Sequence, residues 1–404
     1  MNLPVLPDLV FTPGTLEEAA DVMARCAHES ARLIFVGGGT ELELGLPPDR
    51  IDAVLATGRL SRILEHAPSD QIVVAEAGVP LAALQRAVGA HGQRLALDPP
   101  WAERATLGGL VASNAFGPLR ARYGSVRDLI IGISIVRADG TLSRGGGKVV
   151  KTVAGFDIPK LMVGSLGTLG LISTVTFRLH PLPETSAMIL VPGCSGAVLR
   201  EVVSEIRRAQ LEPASAVAVL SGPGLFDLGV VFEGFGAGVD QQRERFLALV
   251  ARRGGAPRAG VADANDRATF QGRHDAVREL PAVRVKVAAP RSALETVSAD
   301  VLPTLLEALE NGGAVWYPTL GIGFVCGDAG PAAEADAAAS ALMRARSVVA
   351  GLGGSLTVAA APESIRSRVD VWGERPSSWP IMEAMKSRLD PERRLAPGRF
   401  VGAL

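Results

Sequence analysis

Cysteine is nearly absent from this 404-residue sequence, occurring only as Cys26, Cys194 and Cys326, far apart and without any Cys-x-x-Cys spacing. That pattern excludes a cysteine-ligated iron–sulfur cluster or a zinc ribbon within the chain, and it predicts free thiols in a reducing compartment. Histidine is scarce as well. His28, His66, His91, His180 and His274 form no His-x-His or His-x-x-x-His pair, so no local metal site is expected. Neither charge dominates: 41 Lys plus Arg stand against 42 Asp plus Glu, which leaves no electrostatic footprint for nucleic acid. The amino terminus lacks a basic region followed by an apolar stretch, with Asp8, Glu17 and Glu18 arriving early, and no run approaches membrane-spanning length. No signal peptide and no transmembrane segment are expected, and the expected location is cytoplasmic.

Two nucleotide-binding fingerprints are also missing. No glycine trio has the Gly-x-Gly-x-x-Gly spacing of a Rossmann dinucleotide site. The run Gly145-Gly146-Gly147-Lys148 fails as a phosphate loop, because Val149 stands where a magnesium-binding Ser or Thr is required.

What is present can fill two cores: 48 % of the residues are hydrophobic, and the length predicts two domains. Thr15 and Glu18 have capping-box spacing ahead of Leu16, Ala19, Met23 and Ala27, which predicts an amphipathic helix over Thr15–Ser30. An apolar strand over Leu33–Val36 then empties into Gly37-Gly38-Gly39-Thr40. Short strands are expected around Ala53–Leu55 and Ile72–Ala75, a helix from Pro80 through Leu84 and Val88, and a hairpin turning at Ala138-Asp139-Gly140. After His180-Pro181-Leu182-Pro183-Glu184 the glycine-rich loops give way to longer periodic elements, so the domain boundary is placed there, at 1–183 and 184–404. The second half reads βαββα, with strands from Ala187 and near Ser215 and Leu228 and helices from Ser195 and Val239. A second βαββαβ unit begins at Val283 and ends on the strand from Ser355, which suggests one sheet backed by helices.

Chemistry concentrates in three glycine-rich stretches: Val36-Gly37-Gly38-Gly39-Thr40, Ala105-Thr106-Leu107-Gly108-Gly109, and Gly164-Ser165-Leu166-Gly167-Thr168-Leu169-Gly170. Glycine permits positive φ and removes the side chain that would hold a pyrophosphate away, while successive N–H groups supply partial positive charge. Any one stretch reads equally well as an ordinary turn. Three together imply a large, multiply charged ligand.

These stretches, with Ser113-Asn114-Ala115 after the second, resemble the flavin domain of the vanillyl-alcohol oxidase family, the PCMH-type FAD-binding superfamily, over most of residues 8–185. Gly147-Lys148-Val149-Val150-Lys151-Thr152-Val153-Ala154-Gly155-Phe156-Asp157 and the tail Leu389-Asp390-Pro391 to Pro397-Gly398-Arg399 are similar to the FAD-binding E subunit of bacterial glycolate oxidases. The resemblance implies an α+β fold, with a two-lobed FAD domain followed by an α/β cap of ferredoxin-like repeats whose carboxyl-terminal tail returns to the flavin domain. It also implies the contacts. Val36 and Gly37, Gly38, Gly39, Thr40, Glu41 and Leu42, together with Thr106, Leu107, Gly108 and Gly109, would surround the pyrophosphate. Ala112, Ser113 and Gly117 would approach the isoalloxazine; Gly167, Leu169 and Ile172 would flank the adenine and ribose; Pro99 and Lys151 complete the set. Lys148 and Lys151 are placed near the pyrimidine edge, where a cation favours the anionic reduced ring, although solvated lysines on a strand fit equally well.

Two departures concern asparagines: Thr152 stands in a Lys-Asn-Val-Ala-Gly segment of the family, and Ala396 in its Asn-Pro-Gly-Arg tail. Some members of the superfamily attach FAD covalently through a histidine just after the first glycine loop, where this chain has Thr40 and Glu41, so non-covalent FAD is expected. The catalytic D subunit and related D-lactate and D-2-hydroxyglutarate dehydrogenases carry His-x-Gly-Asp-Gly-Asn-x-His, which is missing here. The resemblance therefore implies an electron-carrying flavin subunit of a 2-hydroxyacid (glycolate) oxidase. Its expected partners are a second flavoprotein subunit and an iron–sulfur subunit, through which it would sit at the inner face of the membrane. A self-sufficient flavin enzyme acting on an alcohol or 2-hydroxyacid is the alternative, with His274, near Arg273 and Arg278, as its one candidate base; catalytic residues are otherwise unassigned.

Overall fold

A computed structural model describes residues 7, 9–48, 50–148, 156–252, 259–279, 282–331 and 334–404. The chain divides into two compact units, Met1–Leu182 with Glu374–Leu404, and Pro183–Gly373.

In the first unit the helix Leu16–His28 begins where Thr15 Oγ1 accepts from the Glu18 N–H at 3.1 Å, while the Glu18 carboxylate accepts from the Gly14 N–H at 2.7 Å. Ala19, Met23 and Cys26, spaced four and three residues apart, face the core and pack with Leu33, Leu55, Val136 and Leu395. That helix covers a parallel sheet in the order Val10–Phe11, Ala53–Ala56, Leu33–Val36. Leu33 also bonds the tail, donating to the Arg394 carbonyl at 2.8 Å and accepting from the Ala396 N–H at 2.7 Å.

A five-stranded antiparallel sheet runs Ile63–Ala67, Ile72–Glu76, Leu171–Arg178, Ile130–Val136, Leu142–Gly146. Gly140 turns the last hairpin at φ +83°, a backbone shape that favours glycine. The helices Leu81–Gly89 and Leu107–Ser113 press Leu84, Val88, Leu110 and Val111 into this sheet's core beside Phe177 and Val175. The glycine stretches therefore sit at the ends of elements whose apolar faces are locked.

The second unit is an eight-stranded antiparallel sheet. Its order is Gly260–Val261, Thr185–Ser195, Leu225–Gly234, Ser215–Gly222, Glu310–Tyr317, Ile322–Asp328, Val283–Ala288, Ser355–Ala360. Each repeat places its third strand between its first and second, and the two repeats join where Ala218 pairs with Trp316 and Val219 with Val315. This is the pair of ferredoxin-like units expected from βαββα order. One long helix, Ala264–Glu279, was not expected; it buries Phe270, His274, Val277 and Arg278. Among the described residues no helix is long and apolar enough to cross a membrane.

Candidate cofactor site

All three glycine stretches converge on one cleft of the first unit. Packing between the stretches explains several of the glycines. A Cβ on Gly37 would overlap the Thr106 hydroxyl, and one on Gly38 would overlap the Arg104 carbonyl oxygen, so the first loop can lie against the second only because both are bare. Gly108 lies against Ala77, where a Cβ would come within 2.7 Å of the Ala77 methyl. The third stretch hooks onto the helix Leu107–Ser113: Gly164 N–H donates to the Val111 carbonyl and Leu166 N–H to that of Ala112, both at 2.8 Å. Gly167, at φ +78°, rests against the Phe35 ring.

Hydrogen bonding distinguishes the loops further. The N–H groups of Leu107 and Gly108 are engaged by the Val79 and Ala77 carbonyls at 2.9 and 2.7 Å, and that of Gly109 by Thr106 Oγ1 at 3.4 Å. The N–H groups of Gly37, Gly38, Gly39 and Thr40, by contrast, donate to no protein acceptor among the described residues, and all four residues line the cleft. Such a loop presents partial positive charge to whatever fills the space.

Of the residues expected to contact a cofactor, the cleft brings together Gly37, Gly38, Gly39, Thr40, Glu41, Leu42, Thr106, Gly108, Gly109, Ala112, Ser113, Gly167 and Ile172. Val36, Pro99, Leu107, Gly117 and Leu169 do not line it. Val36 ends the strand and accepts from the Thr57 N–H at 2.9 Å; Leu107 is a core residue; Leu169 packs against the same core; Gly117 fits against Asp98, whose carbonyl oxygen a Cβ there would overlap. Lys151, with Thr152, lies outside the described residues. Lys148 pairs with Glu65 on the exposed surface and is not part of the lining.

Sequence reasoning did not single out Phe35, Thr57, Ala77, Leu166, Leu171 or Arg399 for the cleft, and the structure adds them to its lining. Thr57 and Ala77 follow directly on strand ends, which is the one signal that marks them. Arg399 is 5 % exposed; its Nε donates to the Leu44 carbonyl at 3.1 Å and its Nη2 to those of Glu41 and Leu42, each at 3.0 Å.

In the second unit His274 is buried, with Nε2 2.7 Å from the Tyr317 hydroxyl and Nδ1 2.9 Å from Asp275. Arg278 donates to the same hydroxyl at 2.5 Å and its guanidinium lies 3.7 Å from the Phe324 ring centroid. The three cysteines are buried, and burial pushes the Cys194 and Cys326 thiols up to about 11. Among the described residues no three His, Cys, Asp or Glu side chains are grouped to hold a metal ion.

Comparison with known proteins agrees with this geometry. Residues 7–146 match the FAD binding domain family. The chain is 37 % identical over 245 residues to glycolate oxidase subunit GlcE of Escherichia coli (strain K12), covering 59 % of this chain and 65 % of that protein. It is 32 % identical over 210 residues to glycolate oxidase subunit GlcD of Bacillus subtilis (strain 168), covering 52 % and 45 %. The matched stretches thus span about half to two thirds of the relatives' length. In fold it is similar to p-cresol methylhydroxylase, solved with substrate bound, at a TM-score of 0.78 and 16 % identity over 96 % of this chain and 88 % of that one.

Proposed function

We propose that this chain, which belongs to the PCMH-type FAD-binding flavoproteins and is related to the glycolate oxidase subunits, is a 2-hydroxyacid oxidoreductase subunit that holds FAD non-covalently and passes electrons to partner subunits. The observation that carries the cofactor assignment is the run of four N–H groups, Gly37 to Thr40, without protein acceptors among the described residues of the cleft. A diphosphate bears the charge and the acceptor oxygens that such a run recognises. In this reading the first loop binds the diphosphate directly, and Thr106 and Gly108 let the second loop approach it. Ala112 and Ser113 then border the isoalloxazine, and Gly167 and Ile172 the adenine side. FAD supplies the two-electron acceptor that no side chain here provides.

Non-covalent attachment rests on Thr40 and Glu41 standing where some members of the superfamily carry a linking histidine. Acid precipitation of the purified protein is expected to leave the yellow colour in the supernatant. Flavin retained in the denatured pellet would overturn this part of the reading.

Gly109 gives the cleanest test of the cleft. A Cβ there would meet one side-chain atom, Thr106 Oγ1, tightly at 3.1 Å, whereas one on Gly108 would press on Ala77 and disturb the core. Gly109→Val is expected to yield colourless protein whose far-ultraviolet circular dichroism matches the wild type, because the branched side chain projects into the cofactor's space. A yellow Gly109→Val protein with wild-type flavin content would place the cofactor elsewhere.

One observation favours a second reading, a self-sufficient enzyme: the second unit carries Arg278, His274 and Tyr317 in one buried cluster, groups suited to a carboxylate and a proton. Both ring nitrogens of His274 are already engaged, by Tyr317 and Asp275, which weighs against a free base. The subunit reading is therefore the one the groups support better, with glycolate as the substrate class and an iron–sulfur protein as the electron acceptor.

A further inference from the structure

Three features of the tail meet at the first glycine loop. The segment around Leu395 runs parallel to the strand Leu33–Val36 and is bonded to it at Leu33, so the tail travels beside the strand that feeds the loop. It then turns through Ala396 and Gly398, at φ +44° and +78°, and delivers Arg399 against residues 41–46. There the contact is two-sided: the Arg399 side chain holds the carbonyls of Glu41, Leu42 and Leu44, and its own carbonyl accepts from the Leu46 N–H at 2.9 Å.

Peptide units are dipoles, and a guanidinium that gathers three carbonyl oxygens on one side fixes which way the loop's remaining groups point. The same cation is buried in the cleft lining, where Glu41 is the one other charged residue among those described. We propose that Arg399 is a positioning residue for the cofactor's diphosphate, fixing the loop Gly37–Leu42 in its anion-binding shape through its bonds to the Glu41, Leu42 and Leu44 carbonyls. This rests on the reading of the cleft as an FAD site.

The test is titration of the full-length apoprotein with FAD, followed by flavin fluorescence, for wild type, Arg399→Met and Arg399→Lys, with ADP as a competitor that carries the diphosphate without the flavin ring. Arg399→Met is expected to raise the FAD dissociation constant roughly 10- to 100-fold, as for loss of one or more charged hydrogen bonds, and to raise the dissociation constant of ADP, obtained from the competition, by a similar factor. Arg399→Lys keeps the charge but not the three-carbonyl grip, and is expected to fall between the two. Thermal melts of the apoproteins separate this role from a merely structural one, which would lower the melting temperature along with the affinity. A wild-type apoprotein that binds no flavin would sink the FAD reading itself. Wild-type affinity retained in Arg399→Met, FAD affinity lost with the ADP dissociation constant unchanged, or a Met variant that fails to fold while the Lys variant folds and binds as wild type would each overturn the role given to Arg399.

Discussion

Replacing Lys386 by methionine is expected to destabilise the first unit by about 3–5 kcal/mol, the usual cost of removing one partner from a buried ion pair. Lys386 sits on the helix Trp379–Leu389 and is 1 % exposed; its Nζ donates to Asp390 at 2.7 Å, to the Thr168 carbonyl at 2.8 Å and to that of Leu395 at 2.9 Å. Burial pushes its ammonium below the ordinary lysine value, while Asp390 opposes that shift. Asp390 is fully buried and also accepts from the Arg394 and Leu395 N–H groups at 3.1 and 2.8 Å. Methionine fills most of the volume but leaves the Asp390 charge and two carbonyls without their donor.

Because Thr168 belongs to the third glycine stretch, the effect should reach the cofactor cleft as well as the fold. A scan that follows flavin fluorescence should show release at a temperature lower by on the order of 10 °C. The double variant Lys386→Met with Asp390→Asn removes both charges, and should recover part of the loss, which a double-mutant cycle would register as coupling between the two. Melting at the wild-type temperature in the single variant would mean that the pair contributes nothing.

The contrast between what the sequence made legible and what it hid follows from how each element is stabilised. The helix Leu16–His28, the strand Leu33–Val36 and the hairpin turning at Asp139-Gly140 are fixed by local signals, a cap, an apolar run and a glycine at positive φ. The repeated βαββα order is likewise written in periodicity. The helix Ala264–Glu279 has the same geometry but not the same letters, because two of its four buried positions are His274 and Arg278. An apolar period cannot reveal a face that packs through a histidine–tyrosine–arginine cluster. Lys386 hides the helix Trp379–Leu389 for a related reason, being the one residue of that helix that is fully buried.

Long-range pairing is hidden in another way. The strand Leu171–Arg178 lies between Ile72–Glu76 and Ile130–Val136, nearly a hundred residues from the first, and nothing local states that choice. At the site, the glycines announce themselves while their neighbours do not. Thr57, Ala77 and Leu171 carry no chemistry of their own and reach the cleft only through strand register.

The isolated chain, fully loaded with FAD, is expected to leave glycolate and D-lactate essentially unreacted. Oxidation of a 2-hydroxyacid requires a cation for the carboxylate, a base for the hydroxyl proton and an orientation that offers the α-hydrogen to the flavin. The charged residues lining the cleft, among those described, are Glu41 and Arg399, and the guanidinium of Arg399 is committed to three loop carbonyls. His274, the candidate base, has Tyr317 on one ring nitrogen and Asp275 on the other. Absence of a positioned base alone costs about 100-fold or more in rate. Anaerobic mixing of the lone holoprotein with glycolate, D-lactate and other 2-hydroxyacids, followed at the flavin's visible absorption band, is the deciding measurement. Slow or absent bleaching that becomes fast on adding partner subunits fits an electron-carrying role. Rapid bleaching by any one substrate without partners would instead establish a self-sufficient enzyme, and would make the His274, Arg278 and Tyr317 cluster the first place to look for its base.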